Sequence, residues 1–137
     1  MATLTATAAQ STVPAKYAVN GAISRVVSYA ATAALSAGDI VQMARVPKGA
    51  VMQGVSYAWS LSAGAVTAII GDGDNKSAYA AATVFSAAAI AVADSSVFAG
   101  FGRTYTVEDT VDVEVTAVSA APGTAKLKMR LIYTLDN

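Results

Sequence analysis

The stretch from Gly102 to Thr134 restricts the fold more than any other part of the chain. Val111, Val113, Val115 and Ala117 alternate with Asp112, Glu114 and Thr116. Beyond Ala121-Pro122-Gly123, Leu127, Met129, Leu131 and Tyr133 alternate with Lys126, Lys128, Arg130 and Thr134. Successive strand side chains face opposite sides of a sheet, so a period of two in both arms around a Pro-Gly turn predicts a β-hairpin. The polar side is acidic on the first arm and basic on the second. This predicts cross-strand ion pairs worth about 0.2–1 kcal/mol each, with register setting as their main effect.

The rest of the chain carries the same kind of signal. Ile23 to Tyr29 alternates with imperfect contrast, and Ala30 to Ala37 is compatible with helix or loop. Ile40 to Val46 is an apolar strand stopped at Pro47-Lys48-Gly49. Val51 to Ser62 places Val51, Val55, Tyr57, Trp59 and Leu61 on one side, and Val66 to Ile70 follows a turn at Ala63-Gly64. Ser77 to Ser96 reads as short strands and loops, with room for one helical turn. Strands recurring every ~10–15 residues between Gly, Pro, Asp and Ser predict an all-β antiparallel sandwich. Residues 15–137 form its single domain. Residues 1–14 are small and uncharged and predict a flexible N-terminal arm, which is either a frayed end or a segment that orders only along a neighbouring subunit.

Composition narrows the function. A chain of 137 residues buries enough surface for one core. Nine basic residues balance nine acidic ones, so no global field draws in nucleic acid or a membrane surface. Without cysteine there are no disulfides or thiolate metal sites, and without histidine the commonest general base and metal ligand are missing. No apolar run reaches the ~20 residues of a membrane span, and no secretory signal is expected at the N-terminus. Charges are few and alanines many, so part of the surface is expected to be covered by other copies or another protein.

The candidate motifs point to structure rather than chemistry. Gly71-Asp72-Gly73-Asp74-Asn75 offers hard oxygen ligands but lacks the sixth-position glycine and distal glutamate of a helix-flanked calcium loop. A tight turn is the better reading. Glu108, Asp109 and Asp112 have no identifiable second carboxyl across a cleft, as glycoside hydrolysis requires. The serines have no histidine to activate them. Gly100-Phe101-Gly102 is too short a glycine pattern for a dinucleotide loop. Trp59 and Tyr57 share a strand face with Val55 and Leu61, which favours core over a sugar-stacking platform. Lys126, Lys128 and Arg130 form a basic strip, expected to pair with Asp112 and Glu114 rather than bind phosphate. No cofactor site is expected.

Three segments, AGDIVQMARVPKGAVMQGVSY (37–57), GDGDNKSAY (71–79) and TYTVEDTVDVEVTAVSAAPGTAKLKMRLIYT (104–134), together resemble the head decoration, or cement, proteins of tailed bacteriophages. The resemblance implies a jelly-roll-like β-sandwich with an extended N-terminal arm. It also implies a place on the outer surface of the capsid, as a dimer or trimer that clamps the major capsid protein. The arm supplies the candidate partner contacts, Leu4, Thr12, Val13 and Pro14. The alternatives are a tail or connector component of a virion, and a carbohydrate-binding module using Trp59 and Tyr57.

Overall fold

The computed structural model describes residues 2–6, 22–86, 91–94 and 100–135. Nine strands lie among them: β1 (Thr3–Thr5), β2 (Ile23–Ala30), β3 (Ile40–Val46), β4 (Ala50–Leu61), β5 (Ala65–Gly71), β6 (Ala80–Ser86), β7 (Ala91–Asp94), β8 (Asp109–Val118) and β9 (Ala125–Leu135). One sheet runs β1-β3-β8-β5-β6 and the other β2-β9-β4-β7. Apart from β1, which lies parallel to β3, all pairs are antiparallel. Setting β1 aside, this four-plus-four order is that of a jelly roll, in which the chain passes back and forth between the two layers. The fold expected from the sequence is therefore the fold found. Ser77 to Ser96 contributes β6 and β7, with residues 87–90 and 95–96 outside the described set, and Ala30 to Ala37 contributes no helix.

The alternating residues fill the space between the layers. Val41, Met43 and Val46 of β3, Val111, Val113 and Val115 of β8, and Leu127, Met129, Leu131 and Tyr133 of β9 are all buried. Trp59 of β4 stacks on Phe85 of β6 with ring centres 4.5 Å apart, and Tyr57 meets the same ring edge-on at 6.0 Å. These aromatic pairs join the two sheets through dispersion and apolar burial. The even alternation expected along β4 breaks at a bulge between Met52 and Gly54. Upstream of it the buried residue is Met52, while Val51 is only half-buried.

The expected hairpin does not form. β8 pairs with β3 and β5 in one sheet, and β9 pairs with β2 and β4 in the other. The connector between them is held instead by the β4–β5 turn, which also crosses between layers. The Ser119 N–H donates to the Ala65 carbonyl at 2.9 Å, the Gly123 N–H to the Ala63 carbonyl at 2.8 Å, and the Ser62 N–H to the Thr124 carbonyl at 3.1 Å. Gly64 lies at φ 73°, and a Cβ there would stand 2.4 Å from Ser119 Oγ. These bonds separate β8 from β9, so the two arms face each other across the core.

Candidate interaction surfaces

At one end of the sandwich, a buried polar node ties the β5–β6 loop to the segment before β8. Asp72 is 1% exposed. Its carboxylate accepts a two-pronged bond from Arg103, Nε to Oδ2 at 2.5 Å and a terminal nitrogen to Oδ1 at 2.8 Å. Oδ1 also accepts the backbone N–H groups of Asp74 and Asn75, at 3.1 and 2.9 Å. The Tyr105 hydroxyl donates to Oδ2 at 3.0 Å, which leaves the Tyr79 hydroxyl as donor in the 2.5 Å contact between the two tyrosines. Burial opposes ionisation of Asp72, but the bonds from Arg103, Asn75 and Tyr105 outweigh it and hold its pKa below the ordinary value. Burial also pushes the Tyr79 hydroxyl up to about 12. Asp72, Arg103, Tyr105 and Tyr79 are thus bonded in one chain that ties the two loops together. The turn reading of Gly71 to Asn75 holds.

The node fixes how the neighbouring turn is presented. A Cβ on Gly100 would come within 2.5 Å of the Ala78 carbonyl and 2.6 Å of the Tyr79 ring, so only glycine permits this close approach. The next residue, Phe101, is 77% exposed. Val26, Val84 and Val107 are the other large apolar residues left in solvent among the described residues.

The outer face of the first sheet is acidic and already internally engaged. Glu114 pairs with Lys76 at 3.0 Å, Glu108 with Arg45 at 2.6 Å, and Asp109 Oδ2 accepts the Gly73 N–H at 3.0 Å. Asp112, expected in solvent, is half-buried beside a cavity of about 200 Å³ lined by Ile40, Asp72, Gly73, Lys76 and Glu114. Its Oδ1 is buried with no hydrogen-bond partner among the described residues. Among the described residues no three acidic side chains converge as a metal site would require.

Burial is the main reason the Asp112 carboxyl is pushed up to about 6. Asp109, Asp72 and Glu114 add to the rise, and a bond with Thr110 opposes it. The folded protein then binds a proton that the unfolded chain has released. The stability due to this proton is full below the ordinary carboxylate range and is lost as pH rises through about 6. Asp112→Asn is expected to raise stability at pH 7 by about 1–2 kcal/mol, reduced from the full linkage value by partial solvation. It should also flatten the pH dependence between about 4 and 6. Urea unfolding at several pH values across that window measures both, and an unchanged slope would rule out Asp112 as its source.

The outer face of the second sheet is basic. On β9, Lys126, Lys128 and Arg130 point outward and are exposed. The expected pairing with Asp112 and Glu114 does not occur, because those carboxylates lie on the opposite sheet. Tyr57 and Trp59, at 7% and 2% exposure, face the core, so neither forms a sugar platform.

Of the expected arm contacts, Leu4 lies in β1, across from Val41, and packs against the chain's own core. The Ala2 N–H donates to Asp39 Oδ1 at 3.1 Å and anchors the start of β1. Thr12, Val13 and Pro14 lie outside the described residues. The Asp72–Arg103 pair was not anticipated. The only sequence sign of it was a lone arginine following the Gly100-Phe101-Gly102 turn.

No protein-family model and no curated protein sequence matches the chain. Solved structures do. A chain in the capsid of Ralstonia phage GP4 superposes with a TM-score of 0.80 at 17% identity, covering 98% of this chain and 99% of that one. A chain of the cyanophage Pam1 capsid asymmetric unit gives 0.72 at 21% identity, over 93% and 95%. One from the acid-stable capsid of Helicobacter pylori bacteriophage KHP30 gives 0.52 at 15%, over 85% and 91%. This chain has the jelly-roll fold of components found in those three phage capsids.

Proposed function

We propose that this protein is a non-enzymatic structural component of a phage virion, a decoration or cement protein on the outer surface of the head. In this reading it binds the major capsid protein and other copies of itself, and stabilises contacts between shell subunits. The likeness to capsid components extends over nearly the whole of both chains, and this observation carries the proposal. A fragment shared by many folds would not match end to end. The absence of histidine and cysteine agrees with it. So does the way Glu108 and Asp109 are engaged separately, one in an ion pair with Arg45 and the other by the Gly73 backbone N–H. Repetition by symmetry would turn modest contacts of this kind into high avidity.

Within that reading, the segment after β1 extends the contact area, with Thr12, Val13 and Pro14 meeting neighbouring subunits. Replacing residues 7–14 by a glycine-serine segment of equal length, which leaves β1 in place, is expected to lower occupancy on purified capsids at least tenfold, while circular dichroism of the free protein retains its β signal. Undiminished occupancy would remove the arm from the mechanism. Electron microscopy of decorated particles tests the larger proposal. A regular lattice of density outside the head supports it, and density confined to the tail overturns it.

A further inference from the structure

We infer that the outer face of the β2-β9-β4-β7 sheet is a docking surface for an acidic strand or loop of a different protein, read through the row Lys126, Lys128 and Arg130. The three cations occupy alternate positions of one strand, about 7 Å apart along it. Their cross-strand neighbours keep the row clear. Lys126 lies between Ala30 and Ser60, Lys128 between Ser28 and Ala58, and Arg130 between Val26 and Ser56. Apart from Val26 these neighbours are small, so the charged heads stand above a low floor. Lys126 and Lys128 have no ion pair or hydrogen bond among the described residues, and Arg130 donates to Ser56 Oγ at 3.3 Å. Asp94 occupies the register position on the far side of Ser56, one strand beyond Arg130's neighbour.

A depression of about 370 Å³ opens on this face, lined by Val26, Ser56, Ala58, Lys128 and Arg130. Val26 is 68% exposed there. This combination suits a glutamate, whose methylenes would rest on Val26 and Ala58 while its carboxylate meets Lys128 and Arg130. Carboxylates at alternate positions of an extended strand repeat at about the same 7 Å interval as the cations.

The occupant is not a second copy meeting this face with its own, because like charges would then oppose one another. Nor is it the acidic face of a second copy, since Glu114 is already paired with Lys76 and the Asp112 Oδ1 is buried. Nucleic acid is disfavoured as well. The chain has no net charge, three cations release few counterions, and Tyr57 and Trp59 point away from this surface. The inference concerns the face itself and holds wherever in a particle the chain resides.

The test is fluorescence anisotropy at low salt with a labelled peptide of alternating glutamate and threonine, and a single-stranded oligothymidylate of equal charge. The peptide is expected to bind the full chain, with affinity falling as salt rises. Binding should weaken at least tenfold in the double variant K126E/K128E and stay unchanged in Lys48→Glu, which places a charge reversal in the β3–β4 turn instead. Thermal unfolding of both variants confirms that they fold. Peptide affinity unaffected by K126E/K128E, or oligothymidylate bound as tightly as the peptide, would overturn the proposal.

Discussion

Arg103→Ala is expected to destabilise the fold by about 3–5 kcal/mol at pH 7, because it leaves the buried Asp72 carboxylate without its cation. The Arg103 side chain is 22% exposed and Asp72 only 1%, so water reaches the cation far more readily than its partner. Removing the arginine also frees the turn that carries Phe101 from its tie to the β5–β6 loop. The penalty should shrink as pH falls through the range in which the orphaned carboxyl takes up a proton, since a neutral acid needs no counter-charge. In the intact protein the dependence has the ordinary sign for a depressed carboxylate: its stabilisation is present above the usual carboxylate pKa and is lost as pH falls through the lower folded value. Arg103→Lys keeps the charge but not the paired bonds, and should recover only part of the loss. Urea unfolding of these variants at pH 7 and pH 4 checks the sequence of effects. If Arg103→Ala cost less than 1 kcal/mol at pH 7, the node would have no structural role.

Trp59→Ala should cost a similar amount, about 3–5 kcal/mol. The indole is 2% exposed and stacked on Phe85, and its removal leaves a void between β4 and β6 that neighbouring side chains fill incompletely. Trp59→Phe preserves an aromatic surface and should cost markedly less. The chain contains one tryptophan, so its fluorescence reports on this position alone. Wild-type emission should be blue-shifted and poorly quenched by iodide, as for an indole in the core. Stability of the alanine variant, followed by circular dichroism, gives the size of the effect. A loss under 1 kcal/mol, or free access of iodide to the indole, would contradict the packing described.

Strand content and core were legible in the sequence because alternation reports directly on which residues face inward. Val111, Val113, Val115, Leu127, Met129 and Leu131 are all buried as their period predicted. Alternation does not report which strand lies alongside which, and that is where the hairpin expectation failed. The Pro-Gly turn at Pro122-Gly123 does reverse the chain, but between layers, because Ser119, Gly123 and Thr124 bond to the β4–β5 turn. The same limit explains the basic strip: its supposed partners, Asp112 and Glu114, are near in sequence and on the other sheet. The bulge at Met52–Gly54 was invisible to a strict period, since one extra residue shifts the parity without altering composition. Asp72 was legible as a turn former but not as a buried anion. Its counter-ion lies in another loop, and no local pattern links the two.

The strand order also governs when the fold can exist during synthesis. β5 and β6 form the only pairing between consecutive strands among those described. β9 sits between β2 and β4 and joins them, with Val27 across from Met129 and Tyr57 on Met129's other side. Until β9 has left the ribosome, β2 and β4 have no shared neighbour, and the second sheet cannot close over the first. The nascent chain therefore cannot complete the cover over Trp59, Tyr57 and Val55 before β9 emerges, and relies on long-range closure of the kind that folds slowly.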